Sequence, residues 1–295
     1  MTVIDDARER DRAIPDLDWT LLPPRARRDV VRAPSGDLAR ISLGEAGAPR
    51  VVLVPGVTGS KEDFVLMLPL LAAAGYRVES YDIAGQYESA AAGPENLEPP
   101  RAAYDYRLFI DDLVTVLEDG AAPAHVLGYS FAGMVAQQTA VRHPHLFASL
   151  TLLSTPPAVG QVFAGVKRIG RFSHLASGRT GAGLMLWGVR NNLNKVPPRR
   201  LEFVRARFAH TRRRSVDEIV GLMMRMPDVT AEVRALEIPK LVATGAHDLW
   251  PVAQYEQYAA RIGAGVAVYE TGHSPCETAP HQLVRDMLAL FAARS

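Results

Sequence analysis

One serine of this chain stands where a strand-like pattern changes to a helical one. The apolar run 124–127 is typical of a buried strand, and a helical pattern follows Ser130 within the segment VLGYSFAG (126–133). Small residues at Gly128 and Ala132 let the chain turn tightly without colliding side chains. Such a turn holds the hydroxyl clear of the sheet at a helix N-terminus, where it can act as a nucleophile. The simpler interpretation is a serine that only caps the helix.

A nucleophilic serine needs a base that removes its proton and a third group that orients the base. Asp248 follows the strand pattern 240–244, and His273 follows the strand pattern 266–269. Carboxyl ends of parallel strands meet at one edge of a sheet, so both side chains are expected on the edge that holds Ser130. Taken singly, Asp248 could cap the next helix and His273 could be an ordinary histidine. Together, in the order Ser, Asp, His, they predict a catalytic triad.

The loop PGVTGS (55–60) has the composition needed to stabilise a developing negative charge. Gly56 allows the backbone to turn its N–H groups toward an oxyanion and is a candidate lining residue of the substrate site. The amides of Val57 and Phe131 are therefore predicted to form an oxyanion hole. An ordinary strand-to-helix turn capped by Ser60 is the alternative, and the two interpretations are compatible.

Alternating strands and helices must position these residues. Four aliphatic residues at 51–54 suit a strand buried on both faces of a parallel sheet, and the alternation pauses from about 157 to 236 before it resumes. The first two predicted strands form an antiparallel hairpin around a turn. The predicted strands are 29–33, 38–43, 51–54, 76–81, 124–127, 150–153, 240–244 and 266–269, and the predicted helices are 61–74, 104–118, 131–142, 161–170, 199–213, 215–226, 251–262 and 279–293.

This order of elements predicts one α/β core that carries an insertion. Residues 1–28 are expected to form an irregular N-terminal arm that could include a short helix. Residues 29–156 and 237–295 are expected to form the core, and 157–236 a helical cap over the edge of the sheet where ligands bind. The cap contains a cluster of arginines, for which a solvated helix face is the simpler interpretation. The alternative is capture of a carboxylate, a phosphopantetheine arm or an acidic carrier protein. The cluster comprises Arg199, Arg200, Arg205, Arg207, Arg212, Arg213 and Arg214.

Three aromatic side chains are candidate substrate contacts. Trp187 belongs to an apolar part of the cap, some of which is expected to line an acyl pocket. Tyr87 lies in a loop that follows a predicted strand, near the expected mouth of the site. Trp250 comes two residues after Asp248, although packing is the simpler interpretation of its position.

Composition excludes several classes of protein. The 295 residues carry a formal net charge of +1, which indicates neither a nucleic-acid partner nor an anionic membrane surface. The single cysteine, Cys276, excludes an intramolecular disulfide and a cysteine-based metal cluster. No apolar run approaches the roughly 20 residues that span a bilayer, and no secretion signal is recognisable at the start. We therefore expect a cytoplasmic protein with no bound metal.

The motifs together resemble those of α/β-hydrolase-fold proteins that have a helical cap. GYSFAGM (128–134) resembles the nucleophile elbow of that superfamily, GAHD (245–248) its acid loop, and GHSP (272–275) its histidine loop. DIAGQYES (82–89) is similar to a loop that usually reads Asp-x-x-Gly-x-Gly-x-Ser. The resemblance extends over about residues 30–294. It implies a mostly parallel eight-stranded sheet flanked by helices, and acyl chemistry through a covalent serine ester without a cofactor.

Three residues depart from the pattern of that superfamily. Pro55 stands where many relatives have a histidine, Tyr87 replaces a glycine and would narrow the mouth of the site, and Ala132 replaces a glycine of the elbow. None of these changes removes a catalytic atom. The dehalogenase and epoxide-hydrolase branches, which resemble this fold but use aspartate, are disfavoured because position 130 is serine.

The sequence therefore predicts a serine hydrolase that cleaves an ester, a lactone or a thioester of a small or medium acyl substrate through Ser130, His273 and Asp248. The substrate could be carboxylate-bearing or carrier-bound. C–C bond hydrolysis, perhydrolysis, and cyclisation or acyl transfer in biosynthesis are alternatives for the same triad. A non-catalytic ligand receptor on this fold is the alternative from another class. A homodimer is left open.

Overall fold

The structure is a computed structural model that describes residues 3–160 and 196–293. Within these residues, eight strands form one sheet in the order β1-β2-β4-β3-β5-β6-β7-β8. β2 runs antiparallel to both β1 and β4, and the other neighbouring strands are parallel. The strands are β1 Arg27–Ala33, β2 Gly36–Leu43, β3 Arg50–Val54, β4 Arg77–Tyr81, β5 Ala124–Tyr129, β6 Phe147–Leu153, β7 Lys240–Gly245 and β8 Gly265–Tyr269. The predicted eight-stranded, mostly parallel sheet is confirmed.

Helices cover both faces of this sheet. α3, α4 and α8 contribute Leu113, Met134 and Tyr258 to one apolar cluster, and α2 and α10 contribute Leu68 and Met287 to a second cluster. The described α-helices are α1 Val3–Arg12, α2 Met67–Ala73, α3 Tyr106–Glu118, α4 Phe131–Arg142, α5 Pro198–His210, α6 Arg213–Met223, α7 Thr230–Ala235, α8 Val252–Ile262, α9 Pro275–Thr278 and α10 Pro280–Ala292.

The central strand β3 shows why its sequence is continuously apolar. Val52 and Val54 belong to the first cluster, whereas Val51 and Leu53 belong to the second, and all four are buried. Successive side chains of a strand point to opposite faces, so both faces need apolar residues when helices cover both. The amphipathic helices then bury the sheet and leave its carboxyl edge to the loops.

The N-terminal arm contains the helix α1. Its helix α1 packs against α10, and the Asp11 carboxylate accepts hydrogen bonds from the backbone N–H groups of His281 (2.8 Å) and Gln282 (3.2 Å). A carboxylate at this place satisfies free N–H groups of the first turn of α10. β1 starts at Arg27, two residues before the predicted start of the core.

One predicted helix is interrupted. The expected helix 61–74 is a 3₁₀ turn at Lys61–Phe64 followed by α2 at Met67–Ala73. Lys61, Glu62 and Asp63 are all buried. Lys61 pairs with Asp82 and Asp63 with Arg200, and the Ser60 N–H donates to Asp63 at the start of the turn (3.2 Å).

The described part of the expected cap contains α5 and α6. The predicted helices 199–213 and 215–226 correspond to these two elements, whereas the predicted helix 161–170 and Trp187 lie outside the described residues. The division of the chain into arm, core and cap stays a prediction. None of the helices in the described ranges is long and apolar enough to cross a bilayer.

Candidate active site

Ser130 occupies a strained turn between β5 and α4. Its φ is +53° and its ψ is −117°, in a region that a residue with a side chain rarely adopts. The conformation persists because both flanking elements are packed into the core and because the Ser130 N–H donates to the Leu153 carbonyl (2.8 Å). The side chain is 6% exposed, at the start of α4.

The small residues around Ser130 are required by close backbone contacts. A Cβ on Gly128 would lie 2.6 Å from the Ala132 carbonyl oxygen, and one on Gly133 would lie 1.8 Å from Thr155 Oγ1. Ala132 itself carries a buried methyl group and fits. The departure from glycine at position 132 is therefore sterically compatible with the turn.

The structure brings Ser130, His273 and Asp248 together, although they are far apart in sequence. His273 Nε2 lies 3.3 Å from Ser130 Oγ, and His273 Nδ1 lies 2.6 Å from Asp248 Oδ1. Asp248 follows β7, and His273 follows β8. Gly245 allows the two loops to meet, because a Cβ there would lie 2.0 Å from the Gly272 carbonyl oxygen.

Asp248 is held as a buried carboxylate by several donors. The Thr244 hydroxyl (2.7 Å) and the Tyr255 hydroxyl (2.9 Å) donate to Oδ2, and the Leu249 N–H donates to Oδ1 (2.5 Å). Burial alone would raise the pKa of Asp248, but the charge of His273 and hydrogen bonds from His273 and Thr244 lower the pKa to about 2. Tyr255 was not predicted from the sequence, because its only sequence signal is its position on the helix that follows Asp248.

Aromatic packing limits the orientation of His273. The Tyr129 ring centroid lies 5.4 Å and the Trp250 ring centroid 6.2 Å from that of the imidazole. The Tyr129 hydroxyl is 2.8 Å from Ser274 Oγ, which ties the histidine loop to β5. Trp250 is 1% exposed, so it packs beside the histidine rather than facing solvent. Its role as a substrate contact stays a prediction.

The loop after β3 lies directly beside Ser130. A Cβ on Gly56 would be 3.0 Å from Ser130 Cβ, so the glycine allows this approach. Across the described part of the chain, neither the Val57 N–H nor the Phe131 N–H donates a hydrogen bond to a protein acceptor. The Phe131 amide belongs to the first residue of α4, where a helix leaves its N–H groups unsatisfied. Neither predicted amide thus has an acceptor within residues 3–160 and 196–293, and the oxyanion hole stays a prediction.

Comparison with known proteins identifies the family of the chain. The model of the alpha/beta hydrolase family matches residues 51–286. The chain belongs to this family. The predicted superfamily and a hydrolase-type enzyme are confirmed at this level. Epoxide hydrolase A of Mycobacterium tuberculosis is 32% identical over 117 residues, which cover 39% of this chain and 34% of that enzyme. The match thus spans about a third of the length of this curated relative.

Two solved structures share the fold of this chain over most of its length. A hydrolase from Pseudomonas aeruginosa PA01 has a TM-score of 0.71 at 23% identity, with 90% of this chain and 98% of that chain covered. A thermophilic esterase from Thermogutta terrifontis has a TM-score of 0.70 at 20% identity, with the same two coverages of 90% and 98%. At these identities the likeness establishes the fold.

Tyr87 of this alpha/beta hydrolase occupies a backbone conformation that favours glycine. Its φ is +41°, which accounts for the glycine that the family pattern usually has at this place. The ring is held by Lys61, whose Nζ lies 4.9 Å from the ring centroid, and by edge contacts with Phe203 and His210 of α5. Tyr87 therefore packs against α5, and its contact with substrate stays a prediction.

Two of the cap arginines are buried, which differs from the predicted solvated face. Arg200 and Arg207 both donate to Asp63 Oδ1, at 2.7 Å and 2.6 Å, and Arg200 also pairs with Glu277. Burial opposes ionisation of Asp63, but Arg207 and Arg200 lower its pKa below the ordinary value. The interpretation as a solvated face is wrong for these two residues, because their partners come from the core beneath α5.

Arg212, Arg213 and Arg214, at the start of α6, form surface ion pairs, as predicted for a solvated helix face. Arg213 pairs with Asp217 and Arg214 with Glu218, both one helical turn apart. Arg212 pairs with Glu95. For residues 3–160 and 196–293, no group of three or more His, Cys, Asp or Glu side chains is arranged to hold a metal ion.

Proposed function

We propose that this protein is a serine hydrolase that cleaves an ester, lactone or thioester through an acyl-enzyme on Ser130. The observation that carries the proposal is the continuous chain of contacts from Ser130 Oγ through the His273 imidazole to Asp248. The strained φ of Ser130 and the amides of Val57 and Phe131, which have no protein acceptor among the described residues, support it independently, because a hydrogen-bonded triad alone does not stabilise an oxyanion.

The proposed first step is acylation. An ionised Asp248 has only acceptor oxygens, so the His273 Nδ1 carries the proton of the 2.6 Å contact and Nε2 is left as the base. Nε2 takes the Ser130 proton as Oγ attacks the carbonyl carbon. The 3.3 Å distance is within the range of unliganded sites, in which catalytic hydrogen bonds shorten when substrate binds.

The tetrahedral intermediate places its negative oxygen against the Val57 and Phe131 amides. His273 then gives its proton to the leaving alcohol or thiol, and the acyl group stays on Ser130. In the second step His273 removes a proton from water, which attacks the ester. Collapse of the second intermediate returns the proton to Ser130 Oγ and releases the carboxylic acid. No step needs a cofactor.

We do not propose epoxide hydrolysis for this chain, although the Mycobacterium tuberculosis relative is named as an epoxide hydrolase. The reaction of that branch uses an aspartate nucleophile, whereas the elbow position here is Ser130. The burial of Arg200 and Arg207 also weakens the case for a carboxylate-bearing or carrier-bound substrate, because both guanidinium groups already bind Asp63. Cytoplasmic location and the absence of nucleic-acid and membrane partners remain part of the proposal.

Two histidines provide a matched test of the base. His273→Ala is expected to lower kcat/KM for an aryl ester by about 100- to 10,000-fold, the range for a lost general base. His247 lies one residue before Asp248 with 73% of its side chain exposed, and His247→Ala should leave the rate within about twofold. Equal rates for the two variants would contradict the proposal. The values of kcat/KM for a set of esters, a set of lactones and a set of thioesters would show which of the three substrate classes the protein prefers.

A further inference from the structure

Gln86 connects the predicted oxyanion loop to the cap. It is fully buried, and the two ends of its side-chain amide bind different parts of the chain. Gln86 Oε1 accepts from the Thr58 N–H (3.0 Å), and Gln86 Nε2 donates to Ser215 Oγ (2.7 Å). One planar amide thus joins the loop after β3 to the first turn of α6.

The Thr58 end of this contact lies in a strained turn. The Gly59 N–H donates to the Gly56 carbonyl (3.0 Å), so Val57 and Thr58 are the central residues of a four-residue turn. Thr58 has a φ of +64°, as the third residue of a type II turn requires, although a β-branched residue disfavours this conformation. Type I and type II turns differ by a flip of the peptide between the central residues. The hydrogen bond to Gln86 holds the N–H of that same peptide.

The Ser215 end of the contact lies where α6 meets the core. Ser215 Oγ donates to the Ala84 carbonyl (3.2 Å), and the Arg212 N–H donates to the Gly85 carbonyl (2.9 Å). Gly85 permits this approach, because a Cβ there would lie 2.6 Å from Ser215 Cβ. The position of α6 therefore determines where Gln86 Nε2 finds its acceptor.

We propose that Gln86 is a positioning residue for the reaction. It holds the Gly56–Gly59 turn in its type II conformation and thereby positions Val57, whose N–H belongs to the preceding peptide, and it makes that conformation depend on the position of α6. This inference rests on the proposed function. A buried glutamine needs hydrogen-bond partners in any case. Gln86 differs from an ordinary buried glutamine because it binds the peptide N–H of a strained turn beside Ser130. It also links that peptide to α6, which lies more than a hundred residues further along the sequence.

Three variants test the proposal on 4-nitrophenyl butyrate, with active sites counted by fluorophosphonate titration. Gln86→Met keeps the length of the side chain and removes both hydrogen bonds. Ser215→Ala keeps the hydrogen bond between Gln86 and Thr58 and removes the contact of Gln86 with α6, together with the hydrogen bond from Ser215 to the Ala84 carbonyl. Thr58→Gly relieves the strain, because glycine adopts positive φ without steric cost.

Gln86→Met should lower kcat about 10- to 100-fold, less than the roughly 100- to 1000-fold loss of a complete oxyanion donor. KM should stay within about twofold, because the amide acts on the transition state. The affinity for an aryl trifluoromethyl ketone, which forms a tetrahedral oxyanion on the serine, should fall by the same factor as kcat/KM. The double variant Gln86→Met/Thr58→Gly should recover most of the rate, and Ser215→Ala should show a smaller loss of kcat than Gln86→Met.

An unchanged kcat in Gln86→Met, or no recovery in the double variant, would overturn the positioning role. If Gln86→Met does not fold, an unchanged kcat and ketone affinity in Ser215→Ala would overturn the link to the cap. These outcomes differ from failure of the proposed function, in which the wild-type protein itself would show neither turnover nor labelling of Ser130.

Discussion

His273 Nδ1 lies 2.6 Å from Asp248 Oδ1, and this contact fixes which imidazole nitrogen faces Ser130. Asp248 is in turn held by the Thr244 and Tyr255 hydroxyls and by a backbone N–H, so the carboxylate has little freedom to rotate. The orientation of the base is thus determined by a buried hydrogen-bond network and not by the histidine loop alone.

Replacement of the acid should abolish most of the activity without unfolding the site. Asp248→Asn keeps the shape of the side chain but can donate to Nδ1, which favours the tautomer with its proton on Nε2. We expect kcat for an aryl ester to fall by a factor on the order of 10⁴. Steady-state kinetics on folded, monodisperse protein would check this, and a loss smaller than about tenfold would argue against the tautomer role.

The same carboxylate should make stability depend on pH in a defined direction. Folding lowers the pKa of Asp248 from 3.8 to about 2, so the ionised group stabilises the folded state above pH 3.8 and loses this effect as the pH falls toward 2. Relative to Asp248→Asn, the wild-type protein should lose about 2 kcal/mol of unfolding free energy over this range. Urea unfolding of both proteins at about pH 5, pH 3 and pH 2 would measure the loss, roughly half of which should be present at pH 3. A difference between them that is independent of pH would contradict it.

The buried ion pairs beneath α5 should contribute strongly to stability. Asp63→Ala leaves Arg200 and Arg207 without the carboxylate that both contact, and we expect a loss of about 3–5 kcal/mol in unfolding free energy. Glu45 provides the control, because its pair with Arg25 is 84% exposed on both sides. Glu45→Ala should cost less than about 1 kcal/mol. Similar unfolding midpoints in urea for the two variants would show that the buried cluster is not a stabilising contact.

Much of the fold and the spacing of the candidate site could be read from the sequence. Alternation of strand and helix patterns, with polar residues just after β7 and β8, was enough to place Asp248 and His273 at the edge that holds Ser130. This works because parallel strands bring their carboxyl ends together whatever the details of packing.

The residues that sequence reasoning missed depend on contacts between distant segments. Arg200 and Arg207 lie in an arginine-rich segment that is typical of a solvated helix face. Their pairing with Asp63 is visible only in the folded structure, where α5 packs on the core. Gln86 stands at a position of the Asp-x-x-Gly-x-Gly-x-Ser pattern where no residue type is specified. The motif therefore gave no indication of its two hydrogen bonds. Local periodicity carries no information about which side chain a helix meets across the fold.

The most direct test of the account is the site of covalent labelling by a fluorophosphonate probe, located by mass spectrometry. Ser80 is a matched control, because it is a fully buried serine on β4 whose hydroxyl has no hydrogen-bond partner in the part of the chain that the structure describes. We expect one adduct on Ser130 in the wild-type protein and in Ser80→Ala, together with loss of both labelling and ester hydrolysis in Ser130→Ala. Equal labelling or equal hydrolysis by Ser130→Ala and the wild-type protein would contradict the assignment of Ser130 as the nucleophile.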